Sequence, residues 1–301
     1  MTWFGVVLAG LLVLLLAGAI YETFAEAADA RAYPPPGQMV DVGGYRLHLN
    51  CTGNGSPTVV IEAGLGDWST GWGYVQPEVA KTTRVCTYDR AGMGWSEPGP
   101  LPRDAGQFAR ELHTLLQKAN IPGPYVMVGH SLGGLPVRVF AHDYATDVAG
   151  VVLVDSMYPG QSTTAKPSIV ISSLPLLARF GIARLLVRPL GLINYTTPSE
   201  KAYFSRYVRP QSAQTLADEI QAIPDSIAQA GAVATFSDLP LIVLSAGLDQ
   251  LPGWQAGQTE LAKLSSNSQQ LIAEKSDHSI QIHQPDAAVA AIVSMVEQLR
   301  K

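Results

Sequence analysis

Charge is scarce in this chain of 301 residues: Asp, Glu, Lys and Arg make up only 15% of it, against 47% hydrophobic residues. The net charge is -5 and there is no basic run, so nothing offers phosphates the clustered cations that nucleic acid requires. No nucleic-acid partner is expected. A disordered chain is excluded as well, because the apolar content is too high. Cysteine is nearly absent, with Cys51 and Cys86 alone. No cysteine–histidine cluster has metal-ligand spacing, and no metal is expected. The glycine-rich stretch 64–73 does not give G-x-G-x-x-G, so a dinucleotide site is unsupported and no cofactor is expected. Internal repeats and low-complexity tracts are lacking too. What remains is enough apolar material for one large α/β core.

Residues 3–20 are the exception to this mixed composition: they carry no charge and are almost continuously aliphatic. A spanning helix needs about 20 such residues, with about 17 tolerated. Segment 1–30 therefore reads as a membrane anchor or a signal segment. The small residues of AEAADA after the run would suit a signal peptidase. The run is longer than a usual signal core and no Lys or Arg precedes it, which favours the uncleaved anchor. A buried core helix fits poorly, since the run has no polar face. Either way the domain that follows, 31–301, is expected outside the cytoplasm, membrane-anchored or, if the segment is cleaved, secreted. Glu22, Glu26 and Asp29 follow the run, but acids contribute little to orientation. RAYPPPG at 31–37 is a stiff spacer between anchor and domain. In an oxidising compartment a disulfide between the two cysteines is an open alternative to two small buried residues.

After the spacer, strand-like and helix-like segments alternate. Strands are expected at 46–50, 58–63, 84–88, 125–128, 151–154, 241–245 and 269–272. Residues 104–119 form an amphipathic helix with Phe108, Leu112, Leu115, Leu116 and Ala119 on one face and Asp104 at its start. A helix follows at 132–144, and Pro285 opens a last one. Short apolar strands separated by helices point to a mostly parallel sheet covered on both faces. Some eighty residues without a strong strand lie between Asp155 and Leu241. That is too long for a structureless loop, so 158–237 is expected to be a helical cap inserted into the sheet domain.

Gly129-His130-Ser131-Leu132-Gly133 fits G-x-S-x-G. An apolar strand runs straight in and a helix straight out, which is the context a nucleophile elbow needs. Ser131 sits on the sharp turn, and flanking glycines avoid a clash with the neighbouring strand and helix. The backbone N–H of Leu132 is one oxyanion donor. The second is expected from Leu65, in the bendable loop Ala63-Gly64-Leu65-Gly66; loss of one such donor typically costs about 10²–10³ in rate. A serine hydroxyl needs a base, and the base needs an orienting acid. His278, just after the last strand, is favoured over His283 as the base. His48, His113 and His142 read as surface or packing residues, and His130 as a shaping residue of the elbow. Two acids follow strand ends on the same edge of the sheet. Asp249, in the loop AGLDQLPG on the way to His278, is favoured, with Asp155 as the alternative.

These motifs resemble the α/β-hydrolase superfamily, in its group with a cap after the sixth strand. The resemblance runs from Val40 to the C-terminal helix. It rests on Gly129 to Gly134, on Tyr88-Asp89-Arg90-Ala91-Gly92-Met93-Gly94-Trp95-Ser96, and on the order Ser131, Asp249, His278. It implies an eight-stranded, mostly parallel sheet with helices on both faces. Many members have His-Gly where this chain has Ala63-Gly64, a change that leaves the backbone donor intact. Relatives that open epoxides or remove halogens use an aspartate nucleophile; Ser131 implies acyl transfer instead, an esterase- or lipase-like reaction through an acyl-enzyme. Carbon–carbon hydrolases and perhydrolases share the same triad, and a membrane-tethered binding or sensing protein that had lost activity would share the fold. The resemblance also makes the strand ending at Cys51 a neighbour of the strand holding Cys86, which implies a Cys51–Cys86 disulfide.

In the cap, LPLLARFGIARLLVRPLGL at 174–192 is dominated by aliphatic residues, with Arg179, Arg184 and Arg188 interspersed. It reads as lining for an apolar acyl pocket, as an interfacial surface near the anchor, or as ordinary helix packing. Trp68 and Trp72 are candidates for the pocket entrance. The expected partners are a small, apolar acyl substrate and, through the N-terminal segment, a membrane.

Overall fold

A computed structural model describes residues 3–161, 168–187, 198–248 and 251–301. The chain opens with α1 (Trp3–Ala32), whose apolar stretch is wholly unburied and long enough to cross a membrane. Then come β1 (Gln38–Asp41), β2 (Arg46–Thr52), β3 (Thr58–Glu62), α2 (Gln76–Val79), β4 (Val85–Tyr88), α3 (Ala105–Lys118), β5 (Tyr125–His130), α4 (Gly134–Asp143) and β6 (Val148–Val154). Between β6 and the next strand lie α5 (Ile169–Arg179), α6 (Ile182–Val187), α7 (Pro198–Tyr207), α8 (Pro210–Gln221) and α9 (Ile223–Ala232). The chain ends with β7 (Leu241–Ala246), α10 (Trp254–Ala262), β8 (Ser268–Ala273), α11 (Ile280–His283) and α12 (Pro285–Gln298).

The eight strands form one sheet in the order β1-β2-β4-β3-β5-β6-β7-β8. β2 runs antiparallel to β1 and β4, and the remaining neighbours pair in parallel. The expected mostly parallel architecture therefore forms. β1 is an addition, because its four residues alternate too weakly to read as a strand.

β3, β4, β5 and β7 are buried at every position and mostly apolar, because both faces are covered. Val60, Met127, Val151, Leu153 and Val243 join the core that packs on α3, α4 and α9. Their immediate neighbours Val59, Val126, Val128, Val152 and Ile242 join the core beneath α2 and α12. The period of two is thus present in the packing though hidden in the composition. α3 begins where its cap residue dictates: the Asp104 side chain accepts the N–H of Gln107 at 2.8 Å. Cys51 and Cys86 face each other across the β2–β4 ladder and are joined by a disulfide.

Parallel strands carry their C-terminal ends to one edge. Ala63 follows β3 there, Ser131 follows β5, Asp155 follows β6, Gly247 follows β7, and His278 lies in the loop after β8. The candidate site residues are brought together at that edge.

Candidate functional site

The turn after β5 is strained in the way an elbow requires. Ser131 has φ +51, in the left-handed region that side chains avoid. The flanking glycines are needed for space. A Cβ on Gly129 would lie 2.7 Å from the Gly133 carbonyl oxygen, and one on Gly133 would lie 2.5 Å from that of Ala63. A short helical turn and then α4 leave directly from Ser131, so the Leu132 N–H stands at the start of a helix.

Ser131 Oγ lies 2.8 Å from His278 Nε2, and His278 Nδ1 lies 2.6 Å from Asp155 Oδ2. The carboxylate on the imidazole is therefore Asp155, the alternative in the sequence, rather than the favoured Asp249, which lies outside the described residues. The reason is visible in what holds Asp155. Its other oxygen, Oδ1, accepts the N–H of Ala246 and the indole N–H of Trp254, both at 2.9 Å. β6 and β7 are adjacent, so the carboxylate at the end of β6 is fixed by the end of β7 and by α10. Asp155 is fully buried and has φ +42, a second residue in the left-handed region. The Trp254 ring also stands edge-on to His278, with centroids 5.5 Å apart.

His130 anchors the backbone of His278. Its Nε2 donates to the carbonyl oxygen of His278 at 2.9 Å, while its Nδ1 faces the Gln281 amide. Burial, reinforced by the neighbouring His278, lowers the His130 pKa to about 4, so the ring is neutral and keeps both partners at neutral pH. His283, the rival base, instead pairs with Asp277 at 2.7 Å on the surface.

The loop after β3 leans on the elbow. A Cβ on Gly64 would come within 2.9 Å of the His130 ring and 3.3 Å of Ser131 Cβ, so only glycine lets Leu65 approach. Leu65, Ser131 and His278 line one cavity of about 750 Å³, with Asp67, Tyr203 and Gln281 on its walls. Scant solvent around the Asp67 carboxyl pushes its pKa up to about 6. Trp68 and Trp72 are both fully buried. Trp68 stacks on Tyr203 of α7, with centroids 4.3 Å apart, while Trp72 joins the core under the sheet.

A buried ionic cluster supports that loop, and single-residue reading did not find it. Arg90 donates to the carbonyl oxygens of Ala63 at 2.7 Å and Gly64 at 2.5 Å. It also binds Glu62 at 2.7 Å and Glu219 at 2.8 Å. Glu219 comes from α8 and accepts the Gly66 N–H at 3.2 Å. Tyr88 closes the cluster with a hydrogen bond to Glu62. The only sequence signal was Arg90 inside the Asp-Arg-Ala-Gly segment. Nothing tied it to a glutamate 129 positions away. Among the described residues no cluster of His, Cys, Asp and Glu is arranged to hold a metal.

Comparison with known proteins agrees with this architecture. The family model for the alpha/beta hydrolase fold matches residues 57–285. An uncharacterised protein of Schizosaccharomyces pombe is 28% identical over an alignment covering 83% of this chain and 53% of its own length. The chain thus spans about half the length of that relative. Among solved structures, the epoxide hydrolase CorEH superposes with TM-score 0.70 at 19% identity, covering 87% of this chain and 99% of that one. A thermophilic esterase from Thermogutta terrifontis superposes with TM-score 0.67 at 22% identity, covering 88% and 99%. At such identities the likeness concerns the fold. With the family model matching most of the chain, this protein belongs to the α/β-hydrolase fold family.

Proposed function

We propose that the protein is a serine hydrolase that cleaves an ester or related acyl bond through an acyl-enzyme on Ser131. The observation that carries this reading is the unbroken relay from Ser131 Oγ to His278 at 2.8 Å and from His278 to Asp155 at 2.6 Å. In this reading His278 Nε2 takes the proton of Ser131 as the hydroxyl oxygen attacks the substrate carbonyl. Asp155 accepts from Nδ1–H, which fixes the tautomer and stabilises the imidazolium. The tetrahedral oxyanion is held by the N–H groups of Leu65 and Leu132. His278 then gives its proton to the leaving group. A water, deprotonated by the same base, releases the acyl group and restores Ser131.

The predominance of apolar surface around the cavity supports an apolar acyl substrate. α1 suits a membrane anchor, and a disulfide suits a domain on the oxidising side of the membrane.

The test is the initial rate on p-nitrophenyl esters of increasing acyl length, for wild type and Ser131→Ala. Turnover that disappears in the variant, with fluorophosphonate labelling of wild type alone, is the expected result. A wild type that neither turns over esters nor takes the fluorophosphonate would sink the reading and leave a tethered binding protein of the same fold.

A further inference from the structure

α1 is not clear of the domain. Phe180, Ile182 and Leu185 share a cleft of about 450 Å³ with Leu11, Leu14 and Gly18 of α1. The backbones touch: a Cβ on Gly18 would lie 2.4 Å from the Phe180 carbonyl oxygen. Nearer the domain, Arg184 pairs with Glu22 at 2.9 Å and with Asp29 at 2.7 Å. These contacts fix the height of α5 and α6 along the axis of α1.

That height has a physical meaning. The apolar run of α1 ends at Ile20, and a helix rises about 1.5 Å per residue. Leu14 and Leu11 therefore lie about 9–14 Å inward from the last apolar residue. A hydrocarbon core is about 30 Å thick, so this is the depth of the nearer leaflet. Whatever packs against Leu11 and Leu14 shares that depth. The outer face of α5 and α6 is suited to it: Ile169 is 83% exposed, Leu176 61% and Leu185 59%. A monomer in water rarely presents such an apolar group, whereas an interfacial helix buries its apolar face about 5–10 Å into the leaflet. The opposite face looks inward. Leu174, Ala178 and Ala183 line an apolar cavity that reaches Gly66 and Trp68, on the loop that carries Leu65.

We propose that the α5–α6 tip of the insertion is embedded in the membrane leaflet that α1 enters, and that the substrate is an ester-bearing amphiphile drawn from that leaflet. The immersion rests on α1 acting as an anchor, and the substrate class rests on the serine-hydrolase reading.

The test uses the full chain in phosphatidylcholine nanodiscs. With Cys51 and Cys86 joined, a single new cysteine takes a polarity-sensitive maleimide dye. Ile169→Cys and Leu185→Cys report on the tip. Ile272→Cys is the control, 56% exposed on β8 at the far edge of the sheet from β1. Dyes at 169 and 185 should emit to the blue and be quenched by spin-labelled lipid, while the dye at 272 stays water-like and unquenched. Water-like emission at 169 and 185 would overturn the immersion. So would blue emission that lipid does not quench but protein dilution reverses, because a second copy would then cover the face. For the substrate, Leu176→Glu with Leu185→Glu should lower hydrolysis of a long-chain ester held in the disc at least tenfold relative to a short soluble ester. An unchanged ratio would overturn the leaflet as source. Dye immersion without fluorophosphonate labelling of Ser131 would sink the hydrolase reading and keep the immersion; labelling without immersion would do the reverse.

Discussion

Asp155 and Asp249 show what one residue's position can and cannot reveal. Both come after strands that end at the same edge, and both satisfy the order serine, acid, histidine. What holds Asp155 against His278 is the pair of donors on its other oxygen, the Ala246 N–H and the Trp254 indole, which no spacing rule reaches. We predict that Asp155→Asn lowers kcat by about 10³–10⁴, because an amide turned toward Nδ1 selects the wrong tautomer of the base. Asp249→Asn should stay close to wild type, and p-nitrophenyl acetate kinetics on the two variants checks both. Asp67 supplies a pH signature at the same scale. Burial raises its pKa from 3.8 to about 6, so its ionised form is penalised in the folded state. The cost is fully present above about 6 and fades as pH falls toward the unfolded value. Asp67→Asn should therefore melt higher than wild type at pH 8. The advantage should vanish near pH 4, and thermal melts across that range read it directly.

At the scale of elements, local signals and distant ones part company. The inner strands were legible because buried parallel strands must be short, apolar and bounded by turns. α3 was legible from its stripe and cap, and the elbow from glycines that a Cβ would drive into neighbouring backbone. Ser131 and His278 were legible because each occupies a fixed place relative to a strand end. The clamp formed by Arg90 and Glu219 was not. It joins the loop after β3 to α8 across the insertion, and a glutamate in an amphipathic helix looks like any solvated charge. Yet Glu219 is buried and touches both Arg90 and the Gly66 N–H, so α8 helps set the place of the loop that carries Leu65, the proposed oxyanion donor. Glu219→Gln keeps the shape but removes the charge that Arg90 needs. We expect kcat to fall about 10–10²-fold with KM little changed, since a displaced oxyanion donor is felt in the transition state. Affinity for a boronic acid transition-state analogue should fall in parallel. A lower melting temperature with unchanged kcat would reduce the clamp to a structural brace.

For the whole molecule, two features far apart in sequence carry the compartment we propose. One is an N-terminal helix fit to cross a bilayer, and the other is a disulfide between β2 and β4. A disulfide persists on the oxidising side of a membrane and is rarely kept in the cytosol. Its loop spans 35 residues, for which loop-closure entropy gives a stabilisation of about 3–4 kcal/mol. Cys86 lies on β4, which pairs with β3, and Cys51 on the next strand out; β3 leads into the loop carrying Leu65, so loosening the ladder reaches the site. Protein made with its own N-terminal segment and isolated from membranes should show no free thiol by maleimide mass labelling, and two after unfolding in reductant. Reduction under native conditions should lower the melting temperature by several degrees and cost activity in step with it. Two free thiols in membrane-isolated protein would place the domain on the reducing side and reverse the orientation inferred for α1.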